Sequence, residues 1–270
     1  MNTDSDESPG PLTSAIPPAP LLQVCLNGAR GAGASAAVPM TPEAMAESAA
    51  RAVAAGAAEV HVHPKTPCGQ DSVSGRVVAE ALEAIRAAVD VPVGVTTGAW
   101  AEPDPVRRVE RVRSWSVLPD LASVNWHEPG AEEVAAALLE RGVRVEAGVW
   151  SGTAGARLLA ASPLASRVAR VLVEVVDADP ATAPDTARAL LADPALASVR
   201  APLLLHGEDG GAWPVLELAV ALGLDTRVGL EDTLLLPGGA PARSNAELVA
   251  AARRMRATGP AARRGAEWRE

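Results

Sequence analysis

The histidine pair His61-Val62-His63 is the feature of this sequence that points most directly to chemistry. The pair ends a short apolar run typical of a β-strand, and in an extended chain residues two apart share one face. Two imidazoles on one face can bind a single metal ion. The spacing therefore predicts a metal site; the alternative is that two core or surface histidines fall two residues apart by chance.

Three charged residues at the last apolar run extend this hypothesis, namely Arg227, Glu231 and Asp232. On strand 8, alternation places Arg227, Gly229 and Glu231 on one face, and Asp232 begins the following loop. Glu231 would then complete a set of two histidines and one glutamate with His61 and His63. Such a set leaves a position open for water or substrate, as catalytic zinc requires. The alternative is an Arg–Glu ion pair that closes the fold without a metal.

Other side chains compete for the third ligand position. His127 and His206 also end apolar runs, so each is an alternative ligand, a substrate contact or a residue that orients its neighbours. Cys68 is close to His63 in sequence and can ligate zinc. Prolines at positions 64 and 67, however, predict a loop that leads away from the pair.

The elements that must position these residues form one repeated pattern, in which a Val/Leu-rich run precedes a stretch with helical spacing. Eight strands are predicted, at residues 21–26, 59–63, 91–96, 121–126, 143–150, 169–176, 202–206 and 227–230. The predicted helices are 42–56, 76–89, 103–118, 131–141, 152–161, 180–193, 212–223 and 244–257. Eight strand–helix units with near-continuous apolar strands predict an α/β fold, a single-domain (β/α)8 TIM barrel.

Active sites of such barrels lie at the C-terminal ends of the strands. The predicted strand ends are rich in polar residues, among them Thr96, Ser123, Asn125, Glu146, Glu174 and Glu208. Glycines in segments 207–211 and 237–239 follow predicted strands 7 and 8, where barrels often bind phosphate. These glycines fit the approach of a large cofactor, although ordinary turn chemistry explains them equally well.

Composition limits the class of protein and its partners. The chain has 270 residues and 48% hydrophobic content, enough for one large core, which we place at residues 21–257. The net charge of −9 argues against binding nucleic acid or an anionic membrane, since the chain has no basic stripe.

The ends of the chain differ from this core. Residues 1–20 are acidic and rich in Pro and Ser, and predict a disordered tail, while 258–270 predict a polar C-terminal tail. No signal peptide or run of eighteen apolar residues is recognisable, and two cysteines cannot make a disulfide framework. We therefore expect a cytoplasmic protein.

Six short motifs together resemble the β-keto acid cleavage enzyme family, whose founding activity is 3-keto-5-aminohexanoate cleavage in lysine fermentation. Each motif is weak alone, but the six occur in register across the predicted barrel. They are Leu26-Asn27-Gly28-Ala29-Arg30, Val38-Pro39-Met40-Thr41-Pro42-Glu43, His61-Val62-His63, Thr96-Thr97-Gly98, Ala122-Ser123-Val124-Asn125, and Gly229-Leu230-Glu231-Asp232 preceded by Arg227.

The resemblance implies a zinc-dependent acyl exchange, in which a 3-keto acid and acetyl-CoA give acetoacetate and the CoA ester of the remaining acyl group. It implies zinc ligands at His61, His63 and Glu231, a catalytic pair at Arg227 and Asp232, and a homo-oligomer. The physics agrees, because zinc polarises a keto oxygen while Asp232 removes a proton and Arg227 balances negative charge.

The expected substrate contacts form a larger set. The family's Ser and Thr positions correspond to Thr96 and Ser123, with Asn125 nearby. The candidate substrate-binding residues are Thr96, Ser123, Asn125, Lys65, Glu146, His127 and His206.

Two departures from the family pattern bear on the substrate. Lys65 stands where many relatives have arginine, so its contact would be a point charge and not a bidentate fork. Arg30 stands where the lysine-fermentation enzyme has a glutamate that meets an amino group, which argues against a cationic substrate. Glu208 and Asp209 are an alternative acidic site for a cation, unless they form only a solvated loop.

Three rival functions remain open from sequence. Amidohydrolase-type enzymes also use a His-x-His pair, but there it ends the first strand, whereas here a strand at 21–26 precedes it. A non-catalytic metal-binding barrel would be expected to lose a ligand, and none is lost. A Schiff-base aldolase that uses Lys65 is weaker, because a proline-rich loop does not hold an amine in a dry pocket.

Overall fold

The computed structural model describes residues 20–258, which fold into a closed barrel of eight parallel strands. The strands pair in chain order, and the first pairs with the last. Their bounds are β1 Leu22–Cys25, β2 Glu59–Val62, β3 Val93–Thr96, β4 Leu121–Asn125, β5 Arg144–Trp150, β6 Arg170–Val175, β7 Leu203–Gly207 and β8 Asp225–Val228. The predicted (β/α)8 barrel is confirmed.

Helices connect the successive strands, and the last helix follows β8. They are α1 Pro42–Ala55, α2 Gly75–Arg86, α3 Pro105–Arg113, α4 Ala131–Glu140, α5 Gly155–Ala161, α6 Ala183–Leu191, α7 Pro194–Ser198, α8 Ala212–Leu222 and α9 Asn245–Thr258. Helix α1 shows why the sequence starts helices where it does: the Thr41 side chain accepts a hydrogen bond from the Ala44 amide, and Pro42 fixes the first helical residue. Gly56 ends the helix in the left-handed conformation.

Most elements differ from their predicted bounds by one to three residues at an end, and three differences are notable. Helix α3 is shorter than the predicted 103–118, and the short helix α7 was not predicted. Strand β8 begins two residues earlier than expected, at Asp225. The polar residues Asp225 and Thr226 do not fit the apolar pattern from which the strand was predicted. In the structure their side chains are hydrogen-bonded: Asp225 accepts from the Leu21 amide at 2.6 Å, and Thr226 donates to the Leu205 carbonyl at 2.8 Å.

A buried charged cluster lies inside the barrel. Arg170 on β6 pairs with Glu146 on β5 and with Glu59 on β2, and Gln23 on β1 donates to Glu146 at 3.2 Å. Burial alone would raise the pKa of Glu146, but Arg170 outweighs it and the pKa is lowered. The cluster ties four strands together through groups that are costly to leave unpaired.

The predicted terminal tails, 1–20 and 258–270, lie outside the described residues except for Pro20 and Thr258. Within residues 20–258, no helix is long and apolar enough to cross a membrane.

Candidate functional site

His61, His63 and Glu231 meet at the C-terminal end of the barrel. His61 is on β2, and His63 follows the strand by one residue. His61 Nε2 is 3.9 Å from Glu231 Oε2, and His63 Nε2 is 3.6 Å from Glu231 Oε1. One ligand atom from each of the three residues lies within 4.8 Å of the others. The structure thus brings together the three residues predicted to bind a metal.

Glu231 is positioned by a turn, whereas the alternation of side chains predicts that it lies on a continuous strand. Strand β8 ends at Val228, and the Asp232 and Thr233 amides both donate to the Gly229 carbonyl at 3.0 Å. Gly28, in the left-handed region at φ 56°, lies against this turn, and a Cβ there would approach Glu231 Cγ to 2.4 Å. Glycine at position 28 therefore leaves room for the Glu231 side chain.

The three side chains fit a divalent metal. Burial lowers the pKa of His61 to about 4, so its imidazole is neutral and able to coordinate. Burial also opposes the charge of His63, but Glu231 and Asp71 outweigh it and raise the pKa to about 9. Within the described chain, His61 Nδ1 and Glu231 Oε2 are buried without a hydrogen-bond partner. Two imidazoles and one carboxylate with an unused oxygen are a donor set suited to zinc.

The predicted catalytic pair is also in place beside this trio. Arg227 Nη2 donates to Asp232 Oδ1 at 2.9 Å and to Glu231 Oε1 at 2.8 Å. Burial would lower the pKa of Arg227, but Asp232 is the largest of the opposing charges, and the pKa is raised well above its usual value. Arg227 therefore stays charged and links the candidate base to the candidate metal ligand.

His206 connects Asp232 to two further carboxylates. Its Nδ1 is 3.6 Å from Asp232 Oδ1, and its Nε2 is 3.5 Å from Glu174 Oε2. Glu174 in turn hydrogen-bonds Glu208, and burial followed by this contact raises the pKa of Glu208 to about 8. His206 therefore lies between Asp232 and the carboxyl pair formed by Glu174 and Glu208. Its role as a substrate contact stays a prediction.

Thr96, Ser123 and Asn125 lie at the ends of neighbouring strands, and Thr96 pairs with Ser123 across β3 and β4. Thr96 Oγ1 accepts from the Gly98 amide at 3.2 Å. Asn125 donates to Glu128 at 2.8 Å and accepts from Trp150 Nε1 at 3.2 Å. All three belong to the C-terminal end of the barrel, and their contacts with substrate stay predictions.

Aromatic rings line the same end of the barrel. Trp100 stacks on His63 with a centroid distance of 5.7 Å and an interplanar angle of 14°. Trp150 lies 6.5 Å from Trp100 and 4.8 Å from the His127 ring. His127 thus joins this aromatic group, as a neighbour of Trp150.

Lys65 and Glu146, both predicted to bind substrate, have protein partners. Lys65 Nζ donates to the carbonyl oxygens of Gly28 at 2.6 Å and Arg30 at 3.2 Å, and pairs with Asp71. An ammonium has three donors, so the described residues account for all of them. Glu146 belongs to the Arg170 cluster, although its charge also acts on His61. A substrate contact by either residue stays a prediction and would require exchange of one of these bonds.

Sequence reasoning missed Asp71. It follows Lys65 by six residues in the loop after β2, and it accepts hydrogen bonds from His63 Nδ1 and from Trp100 Nε1. No periodicity indicates which residue of such a loop returns to the site. Cys68, in the same loop, is exposed and outside the candidate metal-binding trio.

Fold and site together define a (β/α)8 barrel with a candidate metal centre of two histidines and a glutamate at its mouth. The family model described as beta-keto acid cleavage enzyme matches residues 21–270. The chain belongs to this family. Comparison with curated proteins gives no match.

Solved structures agree on the fold. The apo structure of ObcA is 20% identical, with a TM-score of 0.64, and the match covers 82% of this chain and 62% of ObcA. The ternary complex of ObcA with a C4-CoA adduct and oxalate is 19% identical, with a TM-score of 0.63, and covers 82% and 64%. Dihydropteroate synthase from Yersinia pestis, in complex with a sulfonamide drug, is 15% identical with a TM-score of 0.51, covering 92% and 95%. The chain therefore spans less than two thirds of the length of ObcA.

Proposed function

We propose that this protein is a zinc-dependent enzyme that exchanges acyl groups between a 3-keto acid and acetyl-CoA. In the reaction the C2–C3 bond of the keto acid breaks, and the released two-carbon carboxylate fragment joins the acetyl carbonyl to form acetoacetate. The CoA sulfur leaves the acetyl group and ends on the remaining acyl group. Atoms balance without a further reactant.

One observation carries the proposal: the His61, His63 and Glu231 trio lies directly beside the Arg227–Asp232 pair at the barrel mouth. Family membership supports the cleavage of a β-keto acid. The complex of ObcA with a C4-CoA adduct supports a CoA thioester as the second substrate.

Each side chain has a stated task in this proposal. Zinc held by His61, His63 and Glu231 would, when bound, polarise the keto oxygen of the substrate. Asp232 accepts a proton at Oδ2, the oxygen that has no hydrogen-bond partner within residues 20–258. Arg227 holds the opposite oxygen of Asp232 and offsets negative charge as it develops.

The substrate has polar and aromatic neighbours at the barrel mouth. Thr96, Ser123 and Asn125 lie on adjacent strand ends, where they can orient the keto acid. His127 and Trp150 form one side of the same region. Lys65, Glu146 and His206 are proposed as further substrate-binding residues; for Lys65 and Glu146, a contact with substrate exchanges one of their present bonds.

The CoA moiety has a candidate location. A cavity of about 300 Å³ lies between the loops that follow β7 and β8, and is lined by residues that include Gly210, Trp213, Pro237 and Gly239. Loops at these positions commonly bind phosphate in barrel enzymes. We assign this cavity to a phosphate-bearing part of CoA.

The test is a combined assay of metal and turnover. Purified protein should contain about one zinc per chain, and the His61→Ala, His63→Ala double variant should lose it, while Cys68→Ala should keep it. With a panel of neutral and anionic 3-keto acids, acetyl-CoA consumed should equal acetoacetate formed. Cleavage at the same rate without a CoA thioester would overturn the exchange reaction and favour a hydrolase.

A further inference from the structure

Asp71 makes contacts with a candidate metal ligand and with the aromatic side chain that covers it. Its Oδ2 atom accepts hydrogen bonds from His63 Nδ1 at 3.2 Å and from Trp100 Nε1 at 2.8 Å. Its side chain is only 7% exposed. A buried carboxylate bonded to the far side of a ligand imidazole is well placed to fix that ring.

The local backbone explains how Asp71 reaches this position. The chain leaves β2, turns and returns, so that Lys65 and Asp71 form an antiparallel bridge. The Ser72 amide donates to the Pro64 carbonyl at 2.9 Å, and the Thr66 amide to the Gln70 carbonyl at 2.8 Å. This hairpin gives Asp71 a fixed backbone position next to His63.

Lys65 anchors the hairpin to the rest of the mouth. Its ammonium group pairs with Asp71 Oδ1 and donates to the Gly28 and Arg30 carbonyls in the loop after β1. Through Trp100, Asp71 also reaches the loop after β3. The carboxylate therefore joins the loops that follow three consecutive strands.

We propose that Asp71 is a positioning residue, which fixes the ring and tautomer of His63 for metal binding and holds Trp100 against it. An ionised carboxylate can only accept, so the proton of a neutral His63 lies on Nδ1. Nε2 is then the atom left for a metal, and it lies 3.6 Å from Glu231 Oε1. The proposal rests on the metal site of the proposed function.

The other histidine of the pair provides an internal contrast. His61 Nδ1 is buried and has no hydrogen-bond partner in the described part of the chain. Packing inside the barrel must orient His61, whereas His63 lies at the rim and is held by Asp71 along one edge and by Trp100 on one face. Trp100 is 44% exposed, and its hydrogen bond to Asp71 keeps it on the ring.

The experiment measures zinc affinity by competition with a chromophoric chelator, together with the melting temperature of the metal-free protein. Asp71→Ala should weaken zinc binding about 10- to 100-fold, the usual cost of removing such a partner. Asp71→Asn preserves size and should weaken it less, which covers the case in which the alanine variant fails to fold. Asp71→Asn can still accept a hydrogen bond from Lys65, so it should weaken zinc binding with little loss of melting temperature. Asp71→Ala leaves the buried Lys65 ammonium without its counter-ion and should lower the melting temperature as well.

Two controls separate this role from general stabilisation. Trp100→Phe removes one donor to Asp71 but leaves its bond to His63, so zinc affinity should change less than threefold. Asp120→Asn removes the charge of a carboxylate that bonds Arg86 and the Val93 amide, at the start of β3 and away from the trio. It should lower the melting temperature and leave zinc affinity unchanged.

The outcomes distinguish this inference from the proposed function. If zinc binds both Asp71 variants as tightly as the wild type, or does not bind the wild type at all, the positioning role is overturned. If zinc affinity depends on Asp71 but no 3-keto acid is exchanged with acetyl-CoA, the positioning role stands and the proposed activity fails.

Discussion

Arg227 binds Asp232 through one oxygen only. Its Nε and Nη2 atoms donate to Oδ1 at 3.2 and 2.9 Å, and His206 Nδ1 approaches the same oxygen to 3.6 Å. Oδ2 has no hydrogen-bond partner among residues 20–258. The pair thus has one oxygen fixed for orientation and one available to take a proton.

Asp232→Asn should reduce kcat a hundredfold or more, because the amide keeps the shape of the side chain but cannot accept the proton. Zinc content should stay at the wild-type value, since Asp232 is not in the ligand trio. Steady-state kinetics and metal analysis provide the measurement. Asp185→Asn, on the exposed face of α6, is the matched control and should keep normal turnover. Normal turnover in Asp232→Asn would assign the proton transfer to another group.

Arg227→Lys should reduce kcat about 10- to 100-fold. A rate loss of this size corresponds to the free energy of one charge-assisted hydrogen bond. Lysine keeps the charge but not the planar fork that joins Asp232 and Glu231. The same kinetic assay checks this. Arg86→Lys, in a half-exposed pair with Asp120, should have no effect on turnover. Equal turnover in Arg227→Lys and the wild type would show that charge alone suffices.

The barrel could be predicted from the sequence because it depends on regular features, and so could the proximity of His61, His63 and Glu231. Metal binding by these three residues stays a prediction. Alternation along β2 places His61 and His63 correctly, because extended backbone fixes the direction of each side chain. Glu231 does lie next to the two histidines, as predicted, but it lies in a turn beyond β8 and not on a continued strand. Just past the end of β8, a Cβ at Gly229 would lie 1.8 Å from the Cys25 carbonyl oxygen, so the chain passes β1 too closely there for any residue but glycine.

Contacts made by residues in irregular backbone could not be predicted from the sequence. Asp71 reaches His63 only because a hairpin returns it to the mouth. The buried partners of Lys65 and Glu146 depend on other strands and loops, and neither residue carries a local signal of its partner. The periodicity of apolar residues predicts which face of an element a side chain lies on, but not which group distant in sequence it contacts.

Arg170→Met should lower the free energy of unfolding by about 3–5 kcal/mol, because it leaves the buried carboxylates of Glu59 and Glu146 without their cation. Chemical denaturation at neutral pH gives this value. Arg76→Met removes an exposed partner of Glu80 on α2 and should change stability little. Similar stabilities for the two variants would mean that the interior cluster contributes no more than a surface pair.

Glu208 should make the protein less stable as the pH rises. Burial and the contact with Glu174 raise its pKa from 4.5 to about 8, so between these values the folded chain holds a proton that the unfolded chain releases. The free energy of unfolding contributed by this group therefore falls as pH increases from about 5 to 8. His206 and Asp232 also face Glu208 and act on the same pKa.

Glu208→Gln removes this titration and should gain stability relative to the wild type by at least about 1 kcal/mol between pH 5 and pH 8. Denaturant titrations at several pH values measure the difference. Glu217→Gln, on the exposed face of α8, should follow the wild-type curve. A constant difference between Glu208→Gln and the wild type across this range would disprove the raised pKa.

The most direct test of the acyl exchange follows the C2 carbon of the keto acid. A 3-keto acid labelled with ¹³C at C2 is incubated with unlabelled acetyl-CoA and the zinc-loaded protein, and the products are identified by NMR. Exchange predicts the label at C2 of acetoacetate, with an equal amount of unlabelled acyl-CoA. Label in the methyl group of free acetate, with acetyl-CoA unconsumed, would contradict the account and identify hydrolysis as the reaction.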